Sequence, residues 1–210
     1  MLSLPQIQRS VLSGDTDQIL MDLARHGTLL PLPIRLELSQ SSRGCLGLAL
    51  RRVAELTHGP TGLSRGILER LLLAESGDEG NAAALAATLA GLCRAMAYGT
   101  VDEDLETDVR EQVEAGWLML AGLQEADGLL GGEGADEMDR VRLSAFVVYL
   151  LGPMREDVRY LDVSSLLTAL EDRRPLDDAR AEELVDVALA TWPRGVGAGD
   201  RRIGSAMLAA

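Results

Sequence analysis

Residues 179–192, ARAEELVDVALATW, form the stretch that most clearly decides the fold class. Their apolar side chains recur every three or four positions, which is the spacing of one face of an α-helix. Pro175 and the pair Asp177–Asp178 precede the stretch and Pro193 follows it, as expected at the two ends of a helix. The predicted helix runs from Ala179 to Trp192, and its buried stripe comprises Ala181, Leu184, Val185, Ala188 and Trp192.

The rest of the chain shows the same pattern of capped segments with an apolar stripe. Leucine and alanine dominate, and no stretch alternates with the period of two expected of a half-buried strand. The sequence therefore predicts an all-α fold. Further helices are predicted over Asp15 to Arg25 (closed by Gly27), from Ser41 or Ser42 to Leu56, Ser64 to Glu75, Asn81 to Ala97, from the capping box of Asp108 and Glu111 onward, Arg140 to Leu151, and Asp162 to Leu170.

Acidic turns that contain glycine separate these predicted helices. The turns are SGDEGN at residues 76–81, QEADGLLGGEGADEMD at 124–139 and EDRRPLDD at 171–178. They recur roughly every 45–50 residues, which is within the range of helical-hairpin repeats. The sequence thus predicts stacked antiparallel helix pairs, as an α/α-repeat, a solenoid or a partial toroid. We expect one helical-repeat domain over residues 1–194 and a flexible tail with Gly and Arg over 195–210.

Acidic residues outnumber basic ones by 33 to 20, which gives a formal charge of −13. Nucleic acids and anionic membranes are bound mainly through basic faces, so neither is an expected partner. All 20 basic residues are Arg. The absence of Lys has two interpretations: coding bias, because Asn, Phe and Ile are scarce too, or avoidance of lysine modification by a secreted effector. In both cases guanidinium groups make every basic contact, which predicts Arg–carboxylate ties between helices.

The sequence also bears on the compartment. The N-terminal stretch MLSLPQIQRSVLSGDTDQ lacks a charged start followed by an apolar run and so predicts no secretory signal. The longest apolar stretch, Leu143 to Leu151, is far shorter than the roughly 20 residues that span a bilayer. Cys45 and Cys93 lie far apart without a CxxC motif, which indicates buried free thiols. We therefore expect a cytoplasmic protein without membrane insertion.

One predicted turn, Leu123-Gln-Glu-Ala-Asp-Gly-Leu-Leu-Gly-Gly132, resembles a known repeat. A Gln at the end of a helix is followed by Asp-Gly and further glycines, which resembles the α/α-toroid proteins, namely the prenyltransferase β-subunits and squalene-hopene-type terpene cyclases. The matching residues are Gln124, Asp127, Gly128, Gly131 and Gly132. The resemblance covers about residues 60–155, and residues 72–81 match the same turn more weakly. It implies helical hairpins and, as an alternative function, a small enzyme or ligand-binding protein with a central apolar pocket.

The chain departs from the toroid family at the positions that carry its chemistry. Leu130 takes the place of the aromatic residue usual in this turn, and no Asp-x-Asp-Asp motif occurs. His26 and His58 are the only histidines, so the zinc ligands of the prenyltransferases have no convincing counterpart. The resemblance therefore bears on the fold, and a fold does not by itself imply a function.

Two acidic runs invite a metal-binding interpretation. The first is the alternation of Asp102, Asp104, Glu106 and Asp108. The second combines Asp177 and Asp178 with Glu182 and Glu183. An EF-hand would require Gly and Glu where Thr107 and Val113 stand, and the dipole of a helix favours acids at its start. We interpret both runs as helix caps, and we predict no metal site, no cofactor and no catalytic residue.

The predicted loop from Glu125 to Asp139 is the best place to look for a ligand or partner, because loops of this length are often functional. The candidate residues for a pocket or partner rim are Trp117, Gln124, Asp127, Glu133, Asp136, Asp139 and Arg140. No motif names a reaction. The predicted function is therefore a non-catalytic interaction or scaffold module with a protein partner, and self-association into a homo-oligomer stays open.

Overall fold

The computed structural model describes residues 3–25, 28–74, 80–131 and 135–192. Over these residues the chain is all-α, as predicted, and a short 3-10 turn follows the eighth helix. The ten helices of the described part are α1 (Leu4–Ser13), α2 (Thr16–Arg25), α3 (Leu32–Ser39), α4 (Ser42–Thr57), α5 (Gly62–Leu73), α6 (Ala82–Ala97), α7 (Glu106–Gly122), α8 (Glu137–Leu151), α9 (Val163–Asp172) and α10 (Ala179–Ala190).

Polar caps begin five of these helices where the sequence predicts them, including Asp15 for α2 and Asp178 for α10. The Ser41 side chain accepts a hydrogen bond from the Gly44 N–H at the start of α4. Asn81 does the same for Ala84 at the start of α6, and Asp162 for Ser165 at the start of α9. Such caps satisfy N–H groups that the first turn of a helix leaves without a partner. The predicted starts of α2, α4, α6, α9 and α10 are confirmed.

Other helices begin earlier than predicted. Thr61, rather than Ser64, caps α5, because Ser64 reaches back to the Thr61 N–H as the third residue of a capping box. Asp136 caps α8 by accepting from the Asp139 N–H, so the helix begins before the predicted Arg140. α7 follows Leu105, which provides no side-chain cap. The box of Asp108 and Glu111 therefore lies inside α7 and does not open it.

The sequence analysis did not predict α1 and α3. Each carries a proline, Pro5 or Pro33, at one of its first two positions. Proline is tolerated there because the first N–H groups of a helix have no partner within the helix. α3 lies against α4, α6 and α8, with Ile34 and Leu38 buried beneath it. It therefore spans three longer helices and creates the surface described below.

α4 and α6 form the centre of the described core, and they pack without intervening side chains. A Cβ atom at Gly91 would lie 2.2 Å from the Gly47 carbonyl oxygen, and one at Gly47 would lie 2.5 Å from the Ala87 carbonyl oxygen. Gly44, further toward the start of α4, faces Ala84. The order of these contacts shows that the two helices run in the same direction. Only glycine permits this approach of two helix backbones.

α8 and α10 also run in the same direction. Arg142 in α8 contacts Asp178 at the start of α10, and the Trp192 indole N–H after α10 donates to the Val148 carbonyl at 3.0 Å. Helices α4, α6, α8 and α10 contact each other in succession, and α5 contacts α7. Stacked hairpins would produce these neighbours, and an internal repeat or a toroid stays a prediction.

Several sequence predictions concern other parts of the chain. Cys45 and Cys93 are buried and form no disulfide, as predicted. None of the described helices combines the length and the apolar character needed to cross a lipid bilayer. The predicted tail at residues 195–210 and the predicted helix closure at Gly27 lie outside the described residues.

Candidate functional site

Residues 123–131, which include the first part of the predicted loop from Glu125 to Asp139, fold back on themselves. The Glu125 N–H donates to the Leu129 carbonyl at 2.9 Å, and the Gly131 N–H donates to the Leu123 carbonyl at 3.1 Å. Leu130 is fully buried, and its N–H donates to the buried hydroxyl of Ser144 in α8. The loop backbone is thus satisfied from within and is anchored to α8.

Gln124 connects the end of α7 to the start of α9. Its side-chain amide donates to the carbonyls of Gly128 (3.0 Å) and Asp162 (2.9 Å). Its side-chain oxygen accepts from the Asp162 N–H at 2.9 Å. All three bonds go to the backbone of the same chain, so Gln124 joins two helices through the loop.

Asp127 lies between two arginines from different helices. Its Oδ1 is 2.6 Å from Arg140 Nη2, and its Oδ2 is 2.7 Å from Arg173 Nη2. The Leu129 N–H also donates to it at 3.2 Å. Burial alone would raise the pKa of Asp127, but these hydrogen bonds and positive charges outweigh burial and hold the pKa below its ordinary value. The carboxylate is therefore already neutralised by its own chain.

Two further carboxylates complete this group, which we call the Asp127 cluster (Glu125, Asp127, Glu137, Arg140 and Arg173). Arg140 is 3.1 Å from Glu125, and Arg173 is 3.0 Å from Glu137. Each arginine thus contacts two carboxylates, and the cluster joins the 123–131 loop to α8 and to the end of α9. This pairing confirms the predicted Arg–carboxylate ties between helices.

Two glycines of the loop lie where an added Cβ atom would be crowded. Gly128 has a φ of 87°, and a Cβ atom there would lie 2.7 Å from the Ser165 carbonyl oxygen of α9. A Cβ atom at Gly131 would lie 2.5 Å from Glu125 Oε1 and 2.8 Å from Arg140 Nε. Glycine is thus required at Gly128 by its backbone conformation and by the α9 backbone, whereas the atoms nearest to Gly131 belong to flexible side chains that can move.

The remaining predicted rim residues lie in different places. Trp117 is fully buried in the core. Asp136 caps α8, and Asp139 is 2.5 Å from Arg142. Glu133 lies outside the described residues. The structure therefore brings Gln124, Asp127 and Arg140 together around one loop and places Trp117 in the protein interior, while a ligand-binding role for any of them stays a prediction.

The structure confirms the cap interpretation for the second acidic run but not for the first, since Leu105 stands at the N-cap of α7 without a side-chain cap and the first run pairs with an arginine. In the first run, Asp102 and Asp104 are 3.3 Å and 2.8 Å from Arg65. In the second, Asp178 caps α10 by accepting from the Arg180 N–H. In the part of the chain that the structure describes, no group of three His, Cys, Asp or Glu side chains could hold a metal ion.

A surface cavity of about 250 Å³, which we call the α3 pocket, lies where α3 meets α8 and α10. One wall comes from the start of α3 and the opposite wall from α10, while Arg142 and Asp178 contribute polar groups. The two walls consist of Pro31, Leu32, Pro33, Arg180, Ala181 and Leu184. Sequence reasoning missed this pocket because it did not predict α3.

Exposed leucines extend the apolar surface of α3. Leu32 and Leu36 are one helical turn apart and are 52% and 58% exposed. Ile34 and Leu38, on the other face of α3, are buried. A surface helix normally places charged residues opposite its buried stripe, whereas α3 is apolar on both faces. α3 therefore exposes apolar side chains next to the pocket.

Comparison with protein-family models, with curated proteins and with solved structures finds no match. The α/α-toroid resemblance of the 123–132 turn therefore stays a prediction, and the arguments that follow rest on the chain's own residues.

Proposed function

We propose that this chain is a non-catalytic α-helical interaction module that binds a segment of a protein partner at the α3 pocket. The observation that supports the proposal is an open apolar cavity beside Leu32 and Leu36, two exposed leucines. The proposal includes a protein partner, a role as an interaction module and a cytoplasmic location. The two buried cysteines, which form no disulfide, suit a reducing compartment.

The size of the α3 pocket favours a side-chain anchor over a small-molecule ligand. Clefts that hold small molecules or cofactors generally measure about 300–1,000 Å³. The α3 pocket, at about 250 Å³, lies below that range. Interfaces often depend on a few large side chains that fill pockets of the opposite surface. One apolar side chain of a partner, placed between Leu32 and Leu184, is the occupant that fits this volume.

The predicted alternative, a toroid-like enzyme or ligand-binding protein, draws less support from the described residues. Asp127 and Arg140, its best-placed polar candidates, hold each other in an ion pair. A substrate would have to displace that pair to reach either group.

Site-specific photo-crosslinking tests the proposal. A photoreactive amino acid replaces Leu36 beside the pocket or, as a matched control, Leu73, which is 83% exposed on α5. In extracts of the native cells we expect a discrete protein adduct from position 36 but not from position 73. The substitution Leu32→Asp should abolish the adduct while circular dichroism stays unchanged. Equal adducts at both positions, or none at either, would contradict the proposal.

A further inference from the structure

We infer that the partner segment at the α3 pocket carries a Lys or Arg next to its apolar anchor, and that this cation binds between Glu37 and Asp139 at the edge of the pocket. The inference rests on the proposed function and adds the chemistry of the partner. Three observations support it: the positions of the two carboxylates, the net charge at this edge of the pocket, and the positive charge on the opposite wall.

The positions follow from helix geometry. Pro33 lines the pocket, and Glu37 lies four residues further along α3, on the same side and about 6 Å along the axis. Arg142 also lines the pocket, and Asp139 precedes it by one turn of α8. α3 contacts α8, and the charge of Asp139 acts on Glu37, so the two carboxylates lie near each other, each one helical turn beyond a residue that lines the pocket.

The net charge at the edge of the pocket near Glu37 and Asp139 is negative. Arg142 is 2.5 Å from Asp139 and 2.6 Å from Asp178, so one guanidinium serves two carboxylates. The half-buried carboxylate of Glu37 has no hydrogen bond and no ion pair within the described residues. Burial, followed by the nearby charge of Asp139, raises the pKa of Glu37. A partly buried charge without a counter-ion is unfavourable, and a cation from a partner would supply the counter-ion.

The opposite wall sets the orientation of the partner. Arg180 lines the α10 side of the pocket, and its side chain makes no ion pair in the described part of the chain. It would repel a cation placed on that side. The partner's basic group is therefore directed to the α3 side, where Glu37 stands, while the apolar anchor occupies the space between the two walls.

The distance from Pro33 to Glu37 limits the spacing of the two partner groups. About 6 Å separates side chains four apart on a helix, and about 6.6 Å separates side chains two apart on an extended strand. We expect the basic residue two positions from the anchor in an extended segment, or three to four positions from it in a helical one.

Selection from a random peptide library displayed on phage tests this inference with the folded chain. Peptides are kept if they bind the natural chain and the Leu73→Asp control but not Leu32→Asp. We expect them to combine a large apolar residue with Lys or Arg at the spacing given above. Glu37→Gln should weaken one such synthetic peptide about five- to tenfold, the effect of losing one partly buried charge pair. Glu37→Lys should weaken it further.

The outcomes separate this inference from the proposed function. Pocket-dependent peptides without enrichment of basic residues, or with unchanged affinity for Glu37→Gln, would overturn the cationic partner and leave the interaction module standing. The absence of any peptide that depends on Leu32 would contradict both. If light scattering shows a dimer that Leu32→Asp separates into monomers, the occupant is a second copy of this chain, and the inference is also overturned.

Discussion

Two junctions of the molecule hold helices together by opposite means. At the crossing of α4 and α6, glycines bring two helix backbones into contact, and no charged group takes part. At the junction of α8, α9 and α10, arginines span the gaps: Arg142 binds Asp178, Arg173 binds Glu137, and Arg174 binds Glu182. The first junction depends on close packing, while the second depends in part on the protonation of carboxylates and on the salt concentration of the solution.

The largest effect is expected at the glycine crossing. Gly91→Ala would place a methyl group 2.2 Å from the Gly47 carbonyl oxygen, and backbone cannot yield as a side chain can. We expect a loss of about 3–5 kcal/mol in the free energy of unfolding, measured by urea denaturation. Gly66→Ala in α5 is the matched control, because its Cβ would meet nothing within 4 Å. It should be neutral or stabilise the fold by up to about 1 kcal/mol. Equal effects would mean that the crossing is looser than described.

A smaller effect is expected in the Asp127 cluster. Asp127→Asn removes the charge shared by Arg140 and Arg173, but each arginine keeps a second carboxylate, Glu125 or Glu137. We expect a loss of about 1 kcal/mol, because the pairs are partly exposed to solvent. Asp104→Asn, at the exposed pair with Arg65, should leave the urea midpoint unchanged. A loss at Asp127 as large as that of Gly91→Ala would remove the distinction between the two junctions.

Low pH should destabilise the junction of α8, α9 and α10 before it destabilises the crossing of α4 and α6. A hydrogen bond from Arg142 lowers the pKa of Asp178, and one from Arg174 lowers the pKa of Glu182. A group with a lowered pKa stabilises the fold above its unfolded pKa of about 4, and this contribution is lost as the pH falls through the folded pKa. Hydrogen exchange, corrected for intrinsic rates, should therefore show α10 losing protection below about pH 4 before α4 and α6 do. Loss of protection in α4 first would refute the comparison.

Salt should produce the smallest effect. At about 0.5 M sodium chloride the screening length is only a few ångströms, so the exposed parts of the arginine pairs weaken. The stability difference between the natural chain and Asp127→Asn should shrink by about half, whereas the loss caused by Gly91→Ala should not change. A salt-independent Asp127→Asn difference would indicate that the cluster acts through packing.

The sequence predicted features that depend on neighbouring residues, such as helix caps, but few that depend on contacts between distant parts of the chain. Caps such as Asn81 and Asp162 identify helix starts because the bonding partner lies three residues away. α3 escaped prediction because it has only eight residues and begins between two prolines, Pro31 and Pro33. Short helices gain their stability from tertiary contacts, which a sequence pattern does not display.

At the candidate site, too, the sequence indicated residues that are close together in the chain but not their long-range partners. The sequence pointed to Gln124, Asp127 and Arg140, which the structure brings around one loop. It could not show that Arg173, 46 residues from Asp127, completes the cluster. The α3 pocket combines residues from the N-terminal part of the chain with α10, so no local spacing reveals it. The signal that could have raised attention is the stretch Pro31 to Leu38, in which six of eight residues are apolar.

The contact between Gly47 and Gly91 also limits how the molecule can change shape. Helices that pack through side chains can shift by small sliding steps as the side chains change rotamers. α4 and α6 have no side chains between them at this point, so a slide would press one backbone against the other. The pair therefore resists sliding at this point. If a partner binds at the α3 pocket as proposed, we expect any accompanying shift in α3 and α10, which line the pocket, and not at this crossing.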